Sequence, residues 1–132
     1  MIFENRTKDF LVMHNSESEM KVCFVLPTKN EMNTVGPLIL SLKKLSEENK
    51  WTAHIIVTDD STDSTRTIAK EAGAEVVSGG NIGLGAAMIV GIRRAVEKNP
   101  HWVITLDSDG QVDIHEIPKF LAVARNEGAD MV

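Results

Sequence analysis

The sequence predicts an α/β protein with a mainly parallel sheet and helices on its faces. Three observations carry this expectation. Short β-rich apolar runs recur along the chain, each is followed by a polar or glycine-rich turn, and each turn leads into a segment with helical apolar spacing. Strands alternating with helices in this way build parallel sheets through right-handed crossovers.

The first unit runs from the strand 21–26 (KVCFVL) through PTKNEMNT into VGPLILSLKKLSEEN. Leu38, Leu42 and Leu45 form an apolar stripe at helical spacing, and Pro37 is tolerated in a first turn. The second unit is the strand 54–58 (HIIVT), the turn DDSTDST and the helical RTIAKEAG, which Gly73 ends. In the third, the strand 74–78 (AEVVS) leads through GGNIGLG into AAMIVGIRRAVEKN, closed by Asn99-Pro100. The fourth is the strand 102–106 (WVITL), the turn DSDGQVD and the helical IHEIPKFLAVARNEG, after which ADMV opens a further strand. Residues 1–20 read as a mixed polar leader, either a terminal strand or an arm. Residues 21–132 read as one domain, either truncated at its C-terminus or a miniature.

A chain of 132 residues can bury one modest core. Its net charge of −5 argues against nucleic-acid binding, which needs a basic face, and against an electrostatically held membrane surface. The single cysteine, Cys23, excludes an internal disulfide and fits a cytoplasmic chain. Within KVCFVL it reads as a small buried hydrophobe. Histidines 14, 54, 101 and 115 lack the spacing of a zinc site. No apolar run approaches the ~20 residues that span a bilayer.

In open parallel sheets, ligands bind beyond the carboxyl ends of the strands. All four polar turns follow strands, so they converge on one edge. The DSD turn is the most demanding of them. Asp107 and Asp109 follow an apolar run with no basic residue nearby in sequence, and two such carboxylates repel unless a cation sits between them. A hard divalent ion, Mg²⁺ or Mn²⁺, suits oxygen ligands and completes its shell with water and substrate phosphates. Gln111 offers an amide oxygen two residues on. A helix-loop-helix calcium site is excluded, because a strand-like run precedes and Pro118 stands twelfth from Asp107, where that motif has a glutamate.

The other turns are weaker signals. DDSTDST contains Asp59 and Asp60 at a strand end, and Asp63 or Ser64 in the position of a helix cap. GLGAAM (83–88) partly matches a dinucleotide-binding glycine loop, but it follows the third strand and Met88 replaces the last small residue. A glycine turn that lets a helix start close to the sheet is the simpler reading. Lys29 is a ligand contact or a solvated surface lysine. Glu31 is a site residue or a cap of the following helix through backbone donors.

Together the four loops, VLPTKNEMNTVGPLI, IIVTDDSTDSTRTIA, GLGAAMIVGIRRA and VITLDSDGQVDIHEIPKFL, resemble in order the signatures of inverting family 2 glycosyltransferases. The similarity is greatest to the dolichol-phosphate mannosyltransferase and polyprenyl-phosphate glycosyltransferase group, and it covers Lys21 to Val132. The resemblance implies a Rossmann-like GT-A fold that binds a nucleoside-diphosphate sugar, GDP-mannose or UDP-glucose. It implies that Pro27, Glu31 and Asp60 contact the nucleoside, with Lys29 standing where the family usually has an aromatic. Asp107, Ser108 and Asp109 become the family's D-x-D motif. Its two carboxylates hold Mg²⁺ or Mn²⁺ and the sugar nucleotide, and Gln111 is a further metal ligand.

The expected function is therefore transfer of a hexose from such a donor to an acceptor, with a polyprenyl phosphate as the implied lipid partner. A phosphate acceptor is already anionic and needs no general base, and none is evident here. The enzyme would then work at the cytoplasmic face of a membrane, and the chain is expected to self-associate. Two competing readings are a nucleotide-sugar-binding module without turnover of its own and a dinucleotide binder resting on GLGAAM.

Overall fold

In the computed structural model, which describes residues 1–4, 20–109 and 113–127, the strand-helix alternation is realised unit by unit. The elements are β1 (Ile2–Glu4), β2 (Met20–Thr28), α1 (Val35–Glu48), β3 (Trp51–Asp59), α2 (Thr65–Glu71), β4 (Glu75–Ser78), α3 (Leu84–Glu97), β5 (Trp102–Thr105) and α4 (Ile117–Glu127). One 3-10 turn, Ile114–Glu116, leads into α4. Of the leader, Ile2–Glu4 is a terminal strand; residues 5–19 and the strand expected at 129–132 lie outside the described residues.

The sheet has the order β1-β5-β2-β3-β4. β2 lies parallel to both β3 and β5, β3 lies parallel to β4, and β1 closes the β5 edge antiparallel, with Ile2 opposite Ile104. From β2 the chain steps outward to β3 and β4, and α3 then carries it back across to β5 on the other side. The direction of winding therefore reverses between β2 and β5. That reversal opens a crevice at the carboxyl ends of the strands, where ligands of open α/β sheets bind.

β2 is buried from Val22 to Thr28 because both faces of the sheet are covered. Its side chains alternate between faces, as in any strand. Phe24 and Leu26 join Ile39, Leu42, Ile55 and Val57 in the larger core, whereas Cys23 and Val25 pack with Ile56, Ala95 and Val103. α3 can cover the second face only at close range. Its buried residues Ala87, Gly91 and Ala95 recur every four positions, and a Cβ at Gly91 would lie 2.4 Å from Val25 Cγ1. Gly73 terminates α2 as expected, at φ 100°.

β2 and β3 run longer than the apolar pattern implies, and β4 and β5 are each one residue shorter. β2 continues through Pro27 to Thr28, and β3 begins at Trp51 because Met20 pairs with it. A proline in a central strand normally costs a ladder hydrogen bond. Here the side of β2 that faces β5 loses its neighbour after Thr105, which pairs with Val25. The N–H that Pro27 lacks would have pointed past the end of β5. The proline thus sits where the sheet opens into the crevice.

Candidate functional site

Four loops meet at the carboxyl edge, as the register requires: Thr28 lies opposite Asp59, and Asp59 opposite Ser78. Asp59, which the sequence reading left without a role, is the most buried charge there, with no exposed surface. Its carboxylate accepts hydrogen bonds from the Thr28 hydroxyl (2.9 Å) and from the Ser61 main-chain N–H (3.2 Å) and hydroxyl, and Arg66 Nε lies 3.6 Å away. Buried carboxylates need such donors and a counter-charge.

The first and second loops are joined by a repeated arrangement. The Asn30 N–H donates to Ser61 Oγ at 2.7 Å, and that hydroxyl donates to Asp59. The next amide, of Glu31, donates to Thr65 Oγ1 at 2.9 Å, and that hydroxyl donates to Asp63. Asn30 adopts the left-handed conformation (φ 55°), and its side-chain oxygen accepts from the Thr62 N–H at 3.0 Å.

Asp63 also accepts from the Thr65 N–H at 2.9 Å and so caps α2, while Ser64 makes no side-chain cap bond. The Thr65 hydroxyl holds the Asp63 carboxyl below the usual range. Glu31 does not cap α1 through its carboxylate; its main-chain carbonyl accepts from Thr34 and Val35 instead, and the carboxylate faces the Thr34 hydroxyl at 3.3 Å. Asp60 is half-buried and binds the Gly79 N–H at 3.0 Å through one oxygen, which ties the second loop to the third. Lys29 is exposed on the same edge.

Beyond β5, Leu106 donates to the Val25 carbonyl at 3.0 Å, and the chain then turns at Asp107-Ser108-Asp109. Ser108 is buried, with its hydroxyl 3.3 Å from the Pro27 carbonyl and its own carbonyl accepting from Thr34 Oγ1 at 2.5 Å. With the middle residue anchored inward, Asp107 and Asp109 are both exposed at the crevice. Burial lowers the pKa of the Met1 amino group, which donates to the Thr105 carbonyl, and the negative charge of Asp107 opposes that shift. The pairing of β1 with β5 thus brings the Met1 amino group within electrostatic reach of Asp107. Gln111 lies outside the described residues.

Among the described residues, no three His, Cys, Asp or Glu side chains are grouped closely enough to hold a metal ion by themselves. Two exposed carboxylates on one turn could hold an ion that takes its other ligands from water and substrate oxygens, as Mg²⁺ and Mn²⁺ do. The glycine loop GGNIGLG follows β4, the edge strand, rather than a strand at the reversal of winding. It therefore lacks the position of a dinucleotide-binding loop.

Residues 23–132 match the profile of glycosyl transferase family 2. The chain belongs to this family. Among family relatives, it is 30% identical to the low-salt glycan biosynthesis hexosyltransferase of Haloferax volcanii, over 93% of this chain and 29% of that protein. It is 28% identical to the dolichyl-phosphate hexose transferase of the same organism, over 82% of this chain and 44% of the other. Among solved structures, mannosyl-3-phosphoglycerate synthase from Rubrobacter xylanophilus superposes with a TM-score of 0.63 at 27% identity, covering 80% of this chain and 36% of that one. Glucosyl-3-phosphoglycerate synthase from Mycobacterium tuberculosis, in complex with Mn²⁺, UDP-glucose and phosphoglyceric acid, gives a TM-score of 0.54 at 30% identity, covering 67% and 33%. The mainly parallel sheet with flanking helices is the GT-A fold of these glycosyltransferases. The family 2 chain described here spans less than half the length of the curated relatives it matches. No described helix is long and apolar enough to cross a membrane.

Proposed function

We propose that this chain is the donor-binding part of a metal-dependent glycosyltransferase that moves a hexose, glucose or mannose, from a nucleoside diphosphate to a polyprenyl phosphate. The observation that carries the reading is the anchoring of Ser108 beneath the crevice, which leaves Asp107 and Asp109 facing outward beside the first two loops. Pro27, Lys29, Glu31 and Asp60 line the nucleoside end of the crevice. Asp107 and Asp109, with Gln111, hold Mg²⁺ or Mn²⁺.

A bound divalent ion supplies positive charge against which a diphosphate leaving group is stabilised. The residues of the chain do the rest. Asp60 keeps one carboxylate oxygen on Gly79, so it is held in place as an acceptor for a base edge or ribose hydroxyl. Ser108 and Thr34 fix the D-x-D turn against α1. The acceptor oxygen of a lipid phosphate is already charged, so this chain is not required to remove a proton from it. The dolichyl-phosphate hexose transferase relative supports that acceptor class, and the UDP-glucose complex supports the donor class. A lipid acceptor would bring the enzyme to a membrane surface, with the cytoplasmic face as the expected side. The exposed Leu40, Ile82, Leu84 and Phe120 side chains support self-association of the chain.

A second reading keeps the same donor site. In it, the chain binds the sugar nucleotide and has no turnover alone. Titration calorimetry with UDP-glucose and GDP-mannose, each with Mn²⁺ and with chelator, tests the shared donor site. Binding indifferent to chelator would sink the metal reading, and no binding of either donor would sink both readings. Release of labelled sugar or formation of glycolipid then separates the enzyme from the binding module.

A further inference from the structure

We infer that Asp59 and Asp63 are positioning residues of the donor site, acting through Ser61 and Thr65 on two consecutive main-chain amides of the first loop. This rests on the donor-binding reading above and extends it to residues that need not touch the ligand. Each relay has the same order: carboxylate, hydroxyl, amide. Asp59 accepts from Ser61, whose oxygen accepts from the Asn30 N–H. Asp63 accepts from Thr65, whose oxygen accepts from the Glu31 N–H.

A hydroxyl has one proton. When that proton is committed to a carboxylate, the oxygen is left as an acceptor, and here both oxygens take a loop amide. A hydrogen bond to a charged partner is also stronger than one between neutral groups. The carboxylates therefore fix the direction of both hydroxyls. Two adjacent amides held in this way leave little freedom to the Asn30–Glu31 peptide, at a left-handed turn that asparagine tolerates better than other non-glycine residues.

Asp59 adds a third hold, on Thr28 at the end of β2. Lys29 and Glu31 flank the fixed peptide, and Asp60 follows Asp59 directly. The geometry of the nucleoside end thus depends on two carboxylates set behind it, whereas the D-x-D turn has hydrogen bonds of its own, from Ser108 to the Pro27 carbonyl and from Thr34 to the Ser108 carbonyl.

The test uses Asp59→Asn and Asp63→Asn, with Ser61→Ala and Thr65→Val as variants that keep the carboxylates and remove only the relaying hydroxyls. The readouts are the dissociation constants of UDP and GDP in Mn²⁺, the binding of Mn²⁺ alone, the melting temperature without ligand, and amide exchange at Asn30 and Glu31. Removing a relay should weaken nucleotide binding about tenfold, the size of one charge-assisted hydrogen bond. It should also bring the UDP and GDP affinities closer together, while Mn²⁺ binding stays at the wild-type level. Ser61→Ala should speed exchange at Asn30, and Thr65→Val at Glu31. A merely structural role would lower the melting temperature and leave the UDP-to-GDP ratio of the folded protein unchanged, which would overturn the inference. If an aspartate variant does not fold, the hydroxyl variants decide by the same criteria. Wild-type protein that binds neither nucleotide overturns the donor reading and the positioning role together. Normal wild-type binding with unaltered variants overturns the positioning role alone.

Discussion

The buried hydroxyl of Ser108 reaches the main-chain carbonyl of Pro27 across 3.3 Å, linking the turn after β5 to the end of β2. The link joins two segments 81 residues apart on either side of the crevice. It exists because Pro27 lies two residues past Val25, the partner of the last residue of β5, which leaves its carbonyl with no strand partner on that side. Replacing Ser108 by alanine removes this bond but not the one from Thr34 to the Ser108 carbonyl. A lost buried hydrogen bond of this kind costs about 1 kcal/mol. We expect Ser108→Ala to fold with a slightly lower melting temperature and to bind Mn²⁺ more weakly, as its turn is held at one point instead of two. Unchanged Mn²⁺ affinity would show that the turn needs no such anchor.

Asp107 and Asp109 are both exposed, and substitutions of exposed residues usually change stability little. Asp107→Ala or Asp109→Ala should therefore leave the melting temperature near wild type while abolishing Mn²⁺-dependent binding of nucleoside diphosphate. Calorimetry with UDP and Mn²⁺ measures this. Retained Mn²⁺-dependent binding in both variants would place the ion elsewhere.

Asp60→Asn should weaken nucleoside binding by about tenfold, a change equivalent to one hydrogen bond to a charged group. Its effect on folding should be small, because an asparagine oxygen can still accept from Gly79. Affinity for Mn²⁺ alone should not change. Equal loss of metal and nucleotide binding would mean that Asp60 belongs to the ion's surroundings instead.

The four strand-helix units were legible because their apolar periods are strong, and the parallel sheet followed from their alternation. The strand ends were less so. Pro27 reads as a terminator, and only the early end of the neighbouring β5 makes it acceptable inside a strand. The shared exposure of Asp107 and Asp109 was legible as a cost, two carboxylates after an apolar run. Asp59 was not, although a signal existed. Period-two alternation puts it on the face of Ile55 and Val57, both buried in the larger core. The relays through Ser61 and Thr65 could not be read, because they join loops separated by more than 30 residues. Nor could the nearness of Met1 to Asp107, which depends on β1 pairing with β5.

Gly91 gives a prediction about packing. An added methyl would meet Val25 Cγ1 at 2.4 Å and Thr58 Cγ2 at 3.0 Å, both on central strands that cannot withdraw. Alanine favours the helix by about 1 kcal/mol over glycine, but overpacking costs about 1–3 kcal/mol. The second effect should win. Gly91→Ala should lower the denaturation midpoint, measurable in urea, and Gly91→Val should lower it further. A stabilised Gly91→Ala would mean that α3 sits farther from the sheet than described.

The last prediction concerns pH, at the opposite end of the sheet. Glu75 opens β4 and accepts from Arg94 Nε at 2.5 Å, with His54 at 3.2 Å and Lys98 at 3.3 Å. The Arg94 guanidinium foremost, then His54 and Lys98, hold the Glu75 carboxyl at about 2, well below its usual 4.5. A carboxyl whose pKa is lowered by folding stabilises the folded state above its unfolded pKa and loses that contribution as pH falls through its folded one. The window is therefore from about 4.5 down to about 2. At neutral pH, Glu75→Gln should melt below wild type, because α3 loses its charged tie to β4. As pH falls through that window, the two melting curves should converge, since wild-type Glu75 becomes neutral as well. A difference between them that is constant from neutral pH to pH 2 would show that Glu75 contributes through its shape and not its charge.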